Sequence, residues 1–358
     1  MPNATVFPDK RLIAFFRKNL LEWSAQNPRP MPWKGERDPY KIWLSEIILQ
    51  QTRVEQGLPY YQKFVAKYPE VGLLADAPED ELMKLWEGLG YYSRARNLHA
   101  AAKYISDELG GTFPNTYTDI RSLKGVGNYT AAAIASFGFG LPYAVLDGNV
   151  YRVLARFLGI ETLTNIPAAQ KQFAALAQAM LDPVKPAAHN QAIMDFGAIW
   201  CMPQQPRCTE CPLRAECRAF MMDKVAELPL RSKALVKKKR LFHYLVFNHQ
   251  GHVFVRKRTK KDIWRGLWEF PQTDGPVLAS PLGLGELSVS KPFHQLLTHQ
   301  AVTALFFEIY LPDNIPVEIF KNPLFEGCMR IARKELKKNI AFPKVIDCYL
   351  QNIVLTLD

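Results

Sequence analysis

At 358 residues the chain is longer than one hydrophobic core usually organises, so two domains are expected, and 48% apolar with 22% charged residues is the make-up of a soluble globular protein. The 45 Lys and Arg against 34 Asp and Glu give a net charge of +11, which favours a polyanionic partner, nucleic acid before an anionic membrane surface. No apolar run reaches membrane-span length and the start has no signal-peptide pattern, which implies a cytoplasmic (in a bacterium, nucleoid-associated) protein whose six cysteines are not disulfides.

In chain order, "MPNATVFPDKRLIAFFRKNLLEW" reads as an amphipathic helix. Asp38 and Pro39 suit an N-cap and first turn, and "YKIWLSEIILQQTRVEQGL" continues as one helix. Further helices fit "EDELMKLWEGL", "SRARNLHAAAKYISDEL", "YTAAAIASF", "VYRVLARFLGI" and "AAQKQFAALAQAML". Lys224 to Arg240, "KVAELPLRSKALVKKKR", is basic and poor in aromatics, as an exposed linker is. Beyond it "LFHYLVFNHQGHVFVRKR" pairs two β-rich runs across a turn, and "AVTALFFEIYL" reads as another strand. The organisation expected is multidomain: an all-α domain over 1–223, a basic linker over 224–240 and a smaller α+β domain over 241–358.

Three features of the first part carry chemistry. Cys201, Cys208, Cys211 and Cys217 in "WCMPQQPRCTECPLRAEC" follow C-x6-C-x2-C-x5-C, enough thiolates for one tetrahedral zinc or one [4Fe–4S] cluster. A single CxxC pair in a compact run suits the cluster better; Cys328 and Cys348 stand apart as small buried apolar residues. In "SLKGVGNYTA", near residues 118–137, Gly125 and Gly127 flank Val126 in a tight turn between helices. Backbone N–H groups exposed there, with Lys124 alongside, make an anion site for a phosphate, although a plain helix–helix turn is the commoner meaning.

Two carboxylates stand in contrasting surroundings. Glu46 in "WLSEIILQQT" is flanked by Trp43, Ile47, Ile48 and Leu49, so burial should raise its pKa, unless it is an ordinary surface position. Asp147 in "AVLDGNVYRVLARF" precedes a helix that Asn149 could cap, and helix N–H groups there should favour its ionised form; an ordinary cap is the alternative.

Together the hairpin, "VLDGNV" and the cysteine run resemble the endonuclease III superfamily of helix-hairpin-helix DNA glycosylases, over roughly Leu20 to Cys217. In that family the same cysteine spacing holds a [4Fe–4S] cluster. "WLSEIILQQT" is similar to its adenine-specific branch, the MutY-type adenine DNA glycosylases. The resemblance implies that Glu46 protonates adenine, that Asp147 supports the sugar cation, and that Gln51 and Tyr91 insert into the duplex. It puts Arg94 of "GLGYYSRARN" among the DNA contacts and Trp33, Lys34 and Gln191 around the adenine pocket. The family commonly has Arg where Lys34 stands, and lysine lacks the planar fork. The bifunctional members carry a Schiff-base lysine where this chain has Tyr129, and a phenol forms no imine.

"RKRTKKDIWRGLWEFPQ" resembles the Nudix-like domain that MutY-type enzymes append to inspect 8-oxoguanine. The glutamate array that holds Mg²⁺ in a Nudix hydrolase is missing, so this domain is expected to bind rather than hydrolyse. Leu297, Thr298 and His299 are similar to a Phe-Ser-His lesion-reading element. The resemblance implies a monomeric, monofunctional enzyme that removes adenine opposite 8-oxoguanine or guanine in double-stranded DNA. A pyrimidine-lesion glycosylase/lyase, an iron–sulfur redox-sensing DNA-binding protein and a Nudix hydrolase are the alternatives.

Overall fold

In the computed structural model, residues 7–164, 166–230 and 236–354 are described. They form two compact units: Met1–Ala75 with Ala100–Lys233, and Asp76–His99 with Ala234–Asp358. The helices in chain order are α1 Lys10–Gln26, α2 Pro39–Leu49, α3 Val54–Lys67, α4 Val71–Ala75, α5 Glu79–Leu85, α6 Ser93–Glu108, α7 Tyr117–Ser122, α8 Asn128–Phe139, α9 Gly148–Leu158, α10 Pro167–Met180, α11 Pro186–Ile199 and α12 Arg218–Met221. No described residue of the first unit is in a strand, and no described helix is long and apolar enough to cross a membrane.

The first unit is all helix. Asp9 caps α1 by accepting from Leu12 N at 2.7 Å, while residues 1–6 of the helix expected at the start lie outside the described residues. In α9, Val150, Val153, Leu154 and Phe157 recur at helical spacing, and all four join Phe16, Leu20, Trp23, Phe173, Ile193 and Phe196 in one buried core. Gly159, at φ +64°, closes α9 with a left-handed residue that a side chain would strain. The single helix expected over Tyr40–Leu58 is broken. Its start is capped by Asp38 as expected, but Gln51 adopts φ +54° and the chain turns before α3 begins at Val54. The apolar period runs through the break, so the pattern alone does not reveal it. Gly57 makes the turn compact: a Cβ there would lie 2.8 Å from Leu49 Cδ2.

The second unit is built on a mixed sheet of β1 Lys238–His249, β2 His252–Lys257, β3 Trp268–Glu269, β4 Gln272–Thr273, β5 Glu286–Val289, β6 Phe293–Leu296, β7 Gln300–Tyr310 and β8 Cys328–Ala332. The order is β3-β2-β1-β7-β5, with β4 on β1, β6 on β7 and β8 on β2. β1 and β2 form the expected hairpin, turning at Gln250 and Gly251, both with positive φ. β7 lies parallel to β1 from Lys238↔Gln300 to Asn248↔Tyr310. Both its faces are covered. Phe306 stacks on Tyr349 of α14 (Lys344–Val354; α13 is Leu336–Asn339) at 3.8 Å between ring centroids, while Phe307 joins Leu245, Phe247, Phe254 and Phe325.

Asp76–His99 is compact with this sheet unit although it lies far upstream in the chain. Lys257 Nζ pairs with Asp80 at 2.7 Å, Phe342 N donates to Glu87 at 3.0 Å, and Arg96 donates to the Arg265 carbonyl. The units therefore do not follow the chain-order division read from the sequence. Of the expected linker 224–240, residues 224–230 belong to the helical unit, 231–235 lie outside the described residues and 238–240 open β1.

Candidate active site

The first unit carries a cavity of about 750 Å³ walled by the loop before α2, by α2, α8 and α11, and by the start of α9. Glu46, Tyr129, Asp147, Asn149, Trp33, Lys34, Gln51 and Gln191 all line it. α2 presents Glu46 because Trp43, Leu44, Ile47 and Ile48 are buried around it. Burial lifts its carboxyl to about 7; the nearby Tyr129 hydroxyl, which donates to Met194 Sδ at 3.6 Å, draws it down, and the charge of Asp147 pushes it further up. Burial also raises the Tyr129 phenol, reinforced by the charges of Glu46 and Asp147, so Tyr129 keeps its proton and stays a donor.

Asp147 is itself the N-cap of α9. Oδ1 accepts from Asn149 N at 2.8 Å and Val150 N at 2.7 Å, and Oδ2 accepts from Asn149 Nδ2 at 2.8 Å. The capping role expected of Asn149 is thereby corrected: Asn149 is the second residue of the helix and uses its amide to hold the Asp147 carboxylate. Arg152 Nη2 fixes Asn149 in turn, donating to Oδ1 at 2.8 Å. Burial raises Asp147 above the ordinary carboxylate range; Val150 N, the Asn149 side chain, Asn149 N and Arg152 all oppose that rise. The net direction differs from the expectation because desolvation outweighs the helix N-terminus.

Sequence reasoning missed the residues that aim this pair. Asn190, 1% exposed, accepts from Val145 N at 3.1 Å and donates to Ser136 Oγ at 2.9 Å and Tyr143 O at 2.8 Å, so α11 grips the strap leading to Asp147. Asp195 was missed as well; it receives Lys34 at 2.5 Å. Asn190 adjoins Gln191 and Asp195 follows it by one helical turn, a polar spacing on an otherwise buried helix that was available to be read. Trp33 packs edge-on against Tyr61 at 5.5 Å.

The expected hairpin is α7, a turn and α8. Gly125 has φ +84°, and Gly127 caps α8 with no side-chain bond; both are exposed, as is Lys124. Val126 departs from the expectation of a DNA contact. Its side chain is buried and its N–H donates to Leu123 O at 3.0 Å, which holds the turn closed.

Cys201, Cys208, Cys211 and Cys217 line one small cavity behind α9. Among the described residues no group of three or more His, Cys, Asp or Glu is arranged to hold a metal ion. The surroundings nevertheless fit an anionic group. Arg156, 3% exposed, makes no ion pair among the described residues. It donates to Cys201 Sγ at 3.4 Å, Met202 O at 2.7 Å and Leu228 O at 3.0 Å. A buried guanidinium held by carbonyls and a thiol gains from negative charge on those sulfurs.

In the second unit Tyr91 is 44% exposed with φ +47°, a backbone conformation uncommon for a tyrosine and characteristic of functional loops, whereas Tyr92 is buried. Arg94 departs from the expected DNA contact. At 8% exposed, it lies beneath the loop, 5.1 Å from the Trp86 ring centroid, and donates to Leu89 O and Gly90 O at 3.3 Å. Leu297, Thr298 and His299 form the turn between β6 and β7. The Thr298 hydroxyl hydrogen-bonds Tyr91, and His299 O accepts from Lys238 N at 3.0 Å. Glu269, the carboxylate of "GLWEFP", is engaged by Arg258 and Gln272.

Two family models match the chain: the HhH-GPD superfamily of base excision DNA repair proteins over residues 44–178, and a NUDIX domain over 243–352. The chain is 38% identical over 263 residues to the adenine DNA glycosylase of Buchnera aphidicola subsp. Baizongia pistaciae, covering 72% of this chain and 73% of that protein. It is 31% identical to the adenine DNA glycosylase of Buchnera aphidicola subsp. Schizaphis graminum over 312 residues, 87% of this chain and 90% of that one. With the human adenine DNA glycosylase the identity is 42% over 223 residues, 60% of this chain and 41% of the human protein. Among solved structures, a thermostable thymine-DNA glycosylase matches with a TM-score of 0.56 at 30% identity, covering 59% of this chain and 98% of that one. A non-covalent endonuclease III–DNA complex matches in fold with a TM-score of 0.50 at 22% identity, covering 59% and 97%.

Proposed function

Because this chain belongs to the MutY-type adenine DNA glycosylases of the endonuclease III superfamily, we propose that its 750 Å³ cavity receives an adenine flipped out from opposite 8-oxoguanine or guanine in duplex DNA. The observation that carries this reading is the convergence of Glu46, Tyr129 and Asp147 on one cavity wall, with Glu46 at a pKa of about 7. Glu46 donates its proton to a ring nitrogen of adenine as the bond from N9 to C1′ breaks and its electron pair leaves with the base. The Asp147 carboxylate, held by three donors, supports the oxocarbenium-like sugar. Water adds to C1′ and gives a proton back to Glu46. Tyr129 orients Glu46 and offers no amine, so the reaction ends at base release without strand cleavage.

Lys124, Gly125 and Gly127 contact backbone phosphate, which gives position without sequence information. Gln51 and Tyr91 are the residues offered to the duplex; both hold left-handed backbones, φ +54° and φ +47°. Leu297, Thr298 and His299 read 8-oxoguanine from the Nudix-like unit. The four cysteines would hold a [4Fe–4S] cluster, which would cross-link the loop 201–217, and Arg156 would balance its charge. The enzyme acts as a monomer in the cytoplasm, on the DNA there.

The test is release of free adenine from duplexes carrying A opposite 8-oxoguanine, G, C or T. Release opposite 8-oxoguanine and G is expected; none from either sinks the reading. A high yield of borohydride-trapped adduct contradicts the monofunctional mechanism, and zinc in place of iron on metal analysis contradicts the cluster.

A further inference from the structure

Beside the catalytic carboxylates the same cavity contains a second polar constellation that takes no part in the steps above. Asp195, 5% exposed, accepts from three side chains: Lys34 Nζ at 2.5 Å, Gln191 Nε2 at 3.1 Å and Arg29 Nη1 at 3.5 Å. Lys34 and Gln191 share Oδ2, and Arg29 faces Oδ1. All four residues line the cavity. Arg29 and Lys34 come from the loop before α2, Gln191 and Asp195 from successive turns of α11.

A carboxylate only accepts hydrogen bonds, whereas a glutamine amide has a donor end and an acceptor end that its neighbours must sort. With Asp195 beside it, Gln191 must turn its NH₂ to the carboxylate. A flipped amide would set oxygen against oxygen and lose a charge-assisted bond. Lys34 and Arg29 hold the carboxylate's charge in place and so keep that sorting one-sided. The carbonyl oxygen is then the amide's remaining polar end on the cavity wall. An acceptor fixed there suits an exocyclic amine, as on adenine, and opposes the carbonyl oxygen that guanine carries on the same edge.

We propose that Asp195 is a specificity-setting positioning residue: it locks the Gln191 amide so that the pocket accepts a purine with an amino group at its six position. This rests on the adenine-pocket reading given above. A merely structural Asp195, pinning the loop to α11, would slow every substrate alike.

The experiment compares kcat/KM for base release from duplexes with adenine or unsubstituted purine at the target position, opposite guanine, so that the leaving groups' intrinsic difference cancels between enzymes. Asp195→Asn lets the Gln191 amide turn. The adenine-to-purine ratio is expected to fall about tenfold, the value of one well-placed hydrogen bond. Gln191→Met should lower it similarly, and the double variant no further. Lys34→Gln with Asp195→Asn removes both charges at conserved volume; it spares the fold a buried unpaired lysine and should show the same fall even where the single variant does not fold. An unchanged ratio, with both substrates slowed equally, overturns the proposal. Wild-type protein that releases no adenine overturns the function itself, and Asp195's role with it.

Discussion

Replacing Glu46 by Gln tests the acid's setting through stability as well as rate. The carboxyl is lifted from 4.5 to about 7, chiefly by burial. At about 1.4 kcal/mol per tenfold change in proton affinity, ionising it in the folded protein costs about 3 kcal/mol. The folded state thus holds this proton more tightly than the unfolded chain. The stability it contributes is complete below about pH 4.5, is lost as pH rises towards 7, and stays lost above that. Glu46→Gln keeps the shape and never ionises. Its urea midpoint relative to wild type should therefore climb between pH 5 and pH 7.5 and then level off, gaining about 3 kcal/mol across the window. Adenine release should meanwhile drop by on the order of 10²–10⁴. A stability difference that stays flat with pH would show Glu46 to be solvated and ordinary, and the mechanism would lose its acid.

Asp147→Asn replaces one good N-cap residue by another, so stability should change by under about 1 kcal/mol. Mispair binding should persist while adenine release falls by on the order of 10²–10³ or more; an active variant removes Asp147 from the reaction. Gly197→Ala would bring a methyl to 2.6 Å from Asn149 Cβ, so α9 and α11 must separate. Thermal unfolding should register a loss of about 1–3 kcal/mol, and base release should slow as Asn149 leaves Asp147. Cys208→Ser should lose iron by metal analysis and leave the loop 201–217 open to protease; retention of a full complement of iron would exclude this cysteine as a ligand. Thr298→Ala should lower the preference for 8-oxoguanine·A over G·A in competition assays more than it lowers release from G·A; equal loss on both would detach the turn from lesion reading.

Helices with strong apolar periods were legible: α6, α9 and α10 lie where their patterns put them, because one face of each is buried, whereas α1 starts only at Lys10, with residues 7–9 of the expected helix outside it. The break after Leu49 was not, since it depends on a left-handed Gln51 and a close approach over Gly57, both set by tertiary packing. Glu46, Tyr129 and Asp147 stood out by chemistry and by resemblance to a known family. Arg94 and Val126 were misassigned for a common reason: a charge or a loop position says nothing of burial until the loop is folded. Asn190 and Asp195 belong to no motif; Asn190 holds backbone at Tyr143 and Val145, Asp195 accepts from Lys34, Gln191 and Arg29, and only their polar spacing on a buried helix signalled them.

The grouping of Asp76–His99 with residues 234–358 orders events during synthesis. This segment leaves the ribosome early, with Leu82 and Trp86 bound for burial, yet Lys257, Arg265 and Phe342, its partners, follow 169 to 255 residues later. A nascent chain therefore carries an unfinished patch of the sheet unit through the whole translation of the catalytic core. Truncation after residue 224 does more than remove an appendage. It leaves Asp80, Glu87 and Arg96 without Lys257, Phe342 and Arg265, and the Tyr91 hydroxyl without Thr298.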